Sequence, residues 1–352
     1  IKDLEIIGVE NLNQLVMILA TNMKPPEIKI IPQETKYYKY DFKNIKGQIQ
    51  ARKASEIAAA GMHNMLMMGS PGVGKSIIAK TMPSILPDMT LEEQIEISKI
   101  QSVAGNLSGS LVKTRPVRSP HHTATVSAMI GGGFNPKPGE ITQAHGGILF
   151  LDELPEFSRQ VIETLRQPLE DEKIIVSRSG GTYEFPAKFI LIGAMNPCKC
   201  GYYPDMNKCT CTEQEVKKYM EKISGPLIDR IDLCVHMNQV TYFQLEKEEQ
   251  PEDSLTIKER VNRAVQIQRE RYANEKFKFN SQLSGENIKK YCKLNKEEQH
   301  LMEKIYTTMD LSIRAYDKII KVARTIADLK QHEKIQQGDI AEAVSYRPVL
   351  FK

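Results

Sequence analysis

The sequence predicts an α/β protein, a parallel β-sheet with crossover helices and an inserted hairpin, followed by an all-α domain. Three observations carry that reading. A glycine-rich turn, Gly69-Ser70-Pro71-Gly72-Val73-Gly74-Lys75-Ser76, stands between the run Met65-Leu66-Met67-Met68 and the helix-forming Ile77-Ile78-Ala79-Lys80. Three more short apolar runs follow, separated by helical patterns. Beyond the charged, proline-containing stretch 246–253 the text reads almost wholly helical.

The turn matches G-x-x-x-x-G-K-[ST] in full. A strand, a glycine turn and a helix start aim several backbone N–H groups and the positive helix end at one spot, which suits the β- and γ-phosphates of a nucleotide. Gly72 and Gly74 permit backbone geometry that a Cβ forbids. With Gly69, Ser70, Pro71 and Val73 they form the cradle. Lys75 is expected to reach the terminal phosphates and the Ser76 hydroxyl to ligate Mg²⁺, so ATP and Mg²⁺ are the expected cofactors.

The later runs are Gly147 to Leu151, Phe189 to Gly193 and Ile231 to Val235. Apolar runs of this length between helical patterns indicate parallel strands buried on both faces. Ile174 to Arg178 and Thr182 to Phe185 flank Ser179-Gly180-Gly181 and predict a β-hairpin. Helices are expected at Ala51 to Ala60 and at about 256–272, 295–309, 312–330 and 336–346. The first of that last group is amphipathic, with Ile257, Val261, Ala264 and Val265 on one side. The expected domains are 1–39, the tail of a preceding domain; 40–250, the nucleotide-binding domain; and 251–352, the all-α domain. Residues 1–39 hold a short helical pattern (Val9 to Thr21) and Pro25-Pro26, too little to close a core. The chain opens on Ile1 rather than Met, which reads as a fragment or a processed product.

Composition sets outer bounds. Of 352 residues, 41% are hydrophobic and 26% charged, ordinary for a soluble globular protein. No apolar run approaches a membrane span and no signal peptide is visible, so a cytoplasmic location is expected. Six cysteines in such a chain are not expected to form disulfides. A net charge of +4 means that any nucleic-acid surface must be local.

Hydrolysis needs more than a phosphate loop. Phe150-Leu151-Asp152-Glu153 is a buried strand ending in two carboxylates, Asp152 placed to hold Mg²⁺ and Glu153 to orient or deprotonate the attacking water. Asn196 ends another strand at the carboxyl edge, where ligands collect in open α/β sheets, and is expected to help position that water. Arg230, just before the last core run, has the placing of an arginine delivered to a neighbour's γ-phosphate; the alternative is a surface pair with Asp229 or Asp232. Arg314 starts a helix capped by Ser312 and is expected to touch the nucleotide, with Arg324 on the same helix as its rival. Cys198-Lys199-Cys200 and Cys209-Thr210-Cys211 form C-x-C…C-x-C, four thiols that suit a structural Zn²⁺ site, against four unligated thiols or a redox role.

Taken in order, these residues resemble the AAA+ ATPases and, more narrowly, the magnesium-chelatase-like ComM family of bacteria. The stretches are Asp41 to Gln48, the phosphate loop, Arg115 to His122, Gly131-Gly132-Gly133, Pro138 to Ile141, Phe150 to Phe157, Asn196 to Gly201, Ser224 to Asp232 and Leu311 to Leu329. The resemblance covers about 40 to 352. It implies a hexameric ring of copies of the chain, an insert in the second helix and a hairpin before the Asn196 strand, both lining a central pore. It also implies branch migration or helicase action on DNA during integration of transforming DNA, and an amino-terminal domain of Lon-protease-like fold of which residues 1 to about 38 are the end. On that footing Lys113, Arg115, Arg118, Lys137 and Arg178 are candidate DNA-phosphate contacts and Phe134 a stacking group. The alternative reading has Arg115 and Arg118 serving the nucleotide site or subunit contacts, and His121-His122 is read as structural. A magnesium-chelatase-type motor acting on a protein partner is the alternative.

Overall fold

The computed structural model describes residues 7–9, 11–21, 38–107, 111–133, 136–178, 181–241 and 251–347. The chain divides into two units, Ile1–Tyr37 and Tyr38–Lys352. In the first, Leu12–Thr21 is helical and none of its residues is buried. The second carries the sheet and the C-terminal helices.

Nine strands are present among the described residues: β1 (Met65–Gly69), β2 (Val117–Arg118), β3 (Gly131–Gly132), β4 (Lys137–Pro138), β5 (Ile148–Leu151), β6 (Lys173–Arg178), β7 (Gly181–Pro186), β8 (Ile190–Met195) and β9 (Leu233–Met237). Five form one parallel sheet in the order β2-β5-β8-β1-β9. All residues of β1, β5 and β8 are buried. Helices cover both faces of a parallel sheet, and an unbroken apolar run survives only in such a place. The chain leaves β1 for the far edge at β2, returns through β5 and β8 beside β1, and ends at β9 on its other side. The carboxyl ends of β1, β5 and β8 therefore meet where the connections diverge, the position at which open α/β sheets bind ligands.

The expected hairpin is β6–β7, with Arg178 paired to Gly181 at its narrow end. Ser179 and Gly180 lie outside the described residues. β9 starts two residues later than the apolar run suggests. The amides of Asp232 and Leu233 share the Asn64 carbonyl, each at 3.0 Å, so a regular ladder begins only beyond them. The two-residue edge strand β2 was not foreseen, because Val117-Arg118 is too short to show a period.

The helices follow their caps. Thr90 and Glu93 close a capping box on Leu91–Ala104, and Thr212 and Glu215 one on Glu213–Met220. Ser312 accepts the amide of Ala315 and starts Ile313–Leu329, as its cap role predicted. The helix Ile49–Gly61 buries Ala51, Ala54, Ala58, Ala59 and Ala60, and this small-residue face lets Ser254–Arg271 and Ile313–Leu329 come close. One apolar cluster runs from that helix and one face of the sheet into the C-terminal helices; a second lies on the opposite face, under the hairpin and Glu213–Met220. The result is an α/β core with a helical lid, the AAA+ arrangement. Among the described residues no helix is long and apolar enough to cross a membrane.

A buried polar chain ties lid to core. His63, at the foot of β1, faces Asp232 through Nδ1 at 3.3 Å and Thr325 Oγ1 through Nε2 at 2.7 Å. Asn280 donates to both Thr325 and Asp328, and Asp328 also receives Arg271 and Arg324. Burial alone would raise the Asp232 carboxyl, but Lys321, His63 and Lys318 outweigh it and hold the group well below the usual carboxylate range.

Candidate nucleotide-binding site

The loop from β1 to the helix Lys75–Thr81 sets Gly72 at φ +81° and Gly74 at φ +99°. A Cβ at Gly72 would meet no atom within 4 Å, so the backbone angle and not space demands glycine there. Lys75 lies almost wholly buried behind the loop. Its Nζ donates to the carbonyls of Gly69 (2.6 Å) and Ser70 (2.9 Å) and to Asn196 Oδ1 (3.1 Å). Burial pushes the ammonium below its ordinary value, while Asp152 and Glu153 pull it back up.

Asp152 follows β5 and accepts the Ser76 hydroxyl at 2.7 Å. Two hard oxygen groups converge beside the loop, the donor set that suits Mg²⁺. Glu153 takes the left-handed conformation, φ +52° and ψ +44°, and points an exposed carboxylate outward. A non-glycine residue held at positive φ is strained, and the turn spends that strain on aiming one carboxylate away from the sheet. His122 Nδ1 stands 3.6 Å from Glu153 Oε2, with its ring tilted against His121 and edge-on to Phe157. A cavity of about 970 Å³ opens beside Gly69 and Ser70, walled by Pro197, Tyr202, Met237 and Asn238.

Lys75, Ser76, Asp152 and Asn196 thus come together. Arg230 and Arg314 do not join them. Both line a separate cavity of about 600 Å³ together with Lys318 and Lys321, and no residue of the phosphate loop borders it. Arg230 Nη1 donates to the Pro226 carbonyl, Nη2 pairs with Glu170, and Nε is buried without a partner. Arg314 is exposed, 3.9 Å from Asp229. Arg324 is buried, its nitrogens donating to Asp328 and to the carbonyls of Glu333 and His332. It is a lid-packing residue.

The four cysteines of the C-x-C pairs also converge, all Sγ atoms lying within 4.8 Å of one another. Backbone N–H groups of Tyr202 and Thr210 bring the Cys200 thiol down to about 6.

Residues 41–245 match the family model "Magnesium chelatase, subunit ChlI", and 251–347 match its C-terminal companion. The chain belongs to the magnesium chelatase ChlI family. Within it, the chain is 42% identical over 312 residues to competence protein ComM of Haemophilus influenzae, covering 88% of this chain and 60% of that protein. It is 41% identical over 312 residues to the YifB protein of Escherichia coli, 88% of this chain and 61% of the relative. The magnesium-chelatase 38 kDa subunit of Chlorobaculum parvum is 27% identical over 157 residues, 38% of this chain and 45% of the subunit. The chain therefore spans about three fifths of the length of the first two, and it is a ComM-like member of the family.

For this ChlI-family chain the basic insert is less free than its sequence suggests. Arg115 is buried and donates to the carbonyls of Pro87 and Gly146 and to Glu93. Arg118 makes a two-pronged pair with Glu140, both contacts at 2.6 Å. These two guanidiniums hold the insert together, which removes them as ready phosphate contacts. Lys137 is exposed on β4. Phe134 lies outside the described residues. His122 beside Glu153 and Glu170 beside Arg230 were missed; neither contact leaves a spacing signal, since each joins separate loops.

Proposed function

We propose that this chain is the ATP-hydrolysing part of an AAA+ ring motor that acts on DNA, as a branch-migration or helicase-type protein in recombination or natural transformation, in the cytoplasm. The observation that carries the ATPase part is the convergence of Lys75, Ser76, Asp152 and Asn196 at the carboxyl ends of three adjacent strands. The DNA part rests on the likeness to competence protein ComM.

In this reading the loop amides and Lys75 bind the β- and γ-phosphates. Ser76 and Asp152 would hold Mg²⁺, which neutralises phosphate charge when bound. Glu153 orients a water and takes its proton, and Asn196 fixes that water's position. Arg230, and with it Arg314, reaches the γ-phosphate of the neighbouring copy, because both sit in a cavity apart from their own phosphate loop. The working units are 40–250 as the motor domain and 251–352 as the lid; the ring is hexameric.

A second reading, a motor that remodels a protein partner, is favoured by the internal use of Arg115 and Arg118 and by the likeness to a magnesium-chelatase subunit. One experiment separates them. ATP turnover of the chain is measured with and without single-stranded and branched DNA, at several salt concentrations. Stimulation that fades as salt rises supports the DNA motor. Turnover indifferent to every DNA, in a protein shown to assemble, favours the protein partner.

A further inference from the structure

We propose that Cys198, Cys200, Cys209 and Cys211 together bind one zinc ion as thiolates, pinning the segment between β8 and the helix Glu213–Met220 against the phosphate loop. The geometry points to it first. Zn–S bonds of about 2.3 Å in a tetrahedron set the sulfurs about 3.8 Å apart. Here Cys198 Sγ lies 3.3 Å from Cys200 and 3.8 Å from Cys209, with Cys200 3.5 Å from Cys209, and all four fall within 4.8 Å. None of the six cysteines of the chain is in a disulfide. Four thiols from two separate stretches do not gather around one point through hydrophobic burial alone, which would favour carbon contacts at the same positions.

The segment supplies the second argument. Residues 196–212 contain no helix or strand, only turns and bends. Irregular stretches longer than about 12 residues inside a compact unit are uncommon and need another source of order. Its turns are closed by a few local bonds, among them the amides of Lys208 and Cys209 to the Asp205 carbonyl, and the Tyr203 amide donates to Cys198 Sγ at 3.4 Å, the outer-shell contact that ligating thiolates recruit. Cys198 is buried in the second apolar cluster and the other three pack at its margin, so the site has a dry floor and a reachable rim.

The placement gives the ion a task. The segment begins at Asn196, which holds Lys75, and Gly201 (φ +90°) lies flat on Pro71, where a Cβ would come within 2.6 Å of the proline ring. Fixing the four sulfurs fixes both contacts. Four protein ligands leave no open position for water, so the ion is structural and takes no part in hydrolysis.

The test needs neither ATP nor DNA. The chain, purified under reducing conditions, is analysed for metal, and zinc release is followed as a mercurial titrates its thiols. The expected result is one zinc per chain, released in step with four thiols, and a cobalt-substituted form with the intense visible bands of a tetrahedral thiolate site. Substoichiometric zinc in a protein whose thiols all react freely overturns the proposal, as does iron with acid-labile sulfide. Cys209→Ser with Cys211→Ser is expected to lose the zinc; chelator treatment of the unaltered chain gives the same reading should that variant not fold. Hydrogen exchange over 197–212 should then rise at least tenfold while β5 is unchanged. Metal loss that leaves exchange in 197–212 unaltered overturns the pinning role.

Discussion

Lys75 and Asn196 meet across two neighbouring strands, Nζ to Oδ1 at 3.1 Å. The register makes the meeting: β1 and β8 run parallel with Met68 beside Met195, so the residues leaving them emerge together. We predict different losses from the two side chains. Lys75→Ala should weaken nucleotide binding by about 100-fold or more, because it removes the charge proposed to meet the terminal phosphates. Asn196→Ala should keep affinity within about threefold and cut turnover by about 10²-fold, as a group felt mainly in the transition state does. Titration with a fluorescent nucleotide beside phosphate-release rates decides; equal loss of affinity in both variants would sink the distinction.

Glu153 stands apart from Lys75, Ser76 and Asn196, its carboxylate exposed and its backbone left-handed. Glu153→Gln is predicted to bind ATP normally and to lose turnover by about 10²–10⁴-fold, the range for a positioned general base. His122→Ala, which removes the neighbouring imidazole, should cost less than about tenfold. Steady-state turnover retained in the Gln variant would remove Glu153 from this role.

Arg230→Ala is expected to bind ATP as the unaltered chain does and to hydrolyse it poorly. Mixed with Lys75→Ala protein in co-assembled rings, it should regain part of the activity, since each variant supplies what the other lacks. No recovery in rings shown to contain both would refute delivery between copies.

Lys318 donates to the carbonyls of Ile228 and Ile231, on either side of Arg230. Burial brings its ammonium down to about 8, with Asp232 and Asp229 opposing the fall and Lys321 and Arg230 reinforcing it. The folded value is below the ordinary one of about 10.4, so between them the unfolded chain binds more protons and stability rises with pH. Below about pH 8 the folded state carries the full cost of burying that charge. Urea unfolding of Lys318→Met should therefore show a flatter rise between about pH 8 and pH 10 than the unaltered chain. Parallel curves would show that Lys318 does not titrate there.

Asp328 is the acceptor on which Arg271, Arg324 and Asn280 converge, and it is buried. Asp328→Ala leaves two guanidiniums facing no carboxylate and should cost about 3–5 kcal/mol. Asp328→Asn, which keeps one acceptor oxygen, should cost less. Chemical denaturation of both variants measures the order.

The strands and the phosphate loop were legible because the relevant signals are local. Apolar runs fix β1, β5 and β8, and glycine spacing fixes the turn between β1 and its helix. Ser312 announced its own helix. What stayed hidden depends on residues distant in sequence. By sequence Arg115 is open to DNA phosphate, the nucleotide site or subunit contacts; in the fold the carbonyls of Pro87 and Gly146 claim it from two other loops. Arg314 and Arg324 share one helix and were indistinguishable by pattern; only packing buries one against Asp328 and leaves the other in the open. His122 comes near Glu153 from a loop that follows the β2 edge strand, which pairs with β5 over only two residues.

Arg230 and Arg314 line one cavity, while Gly69 and Ser70 of the phosphate loop line another, and the two have no lining residue in common. Taken with delivery between copies, this makes the chain a tile with a socket on one side and a plug on the other. An open row of such tiles always has one empty socket and one idle plug at its ends. Only a closed circle wastes neither, so closure adds one working site without adding a copy.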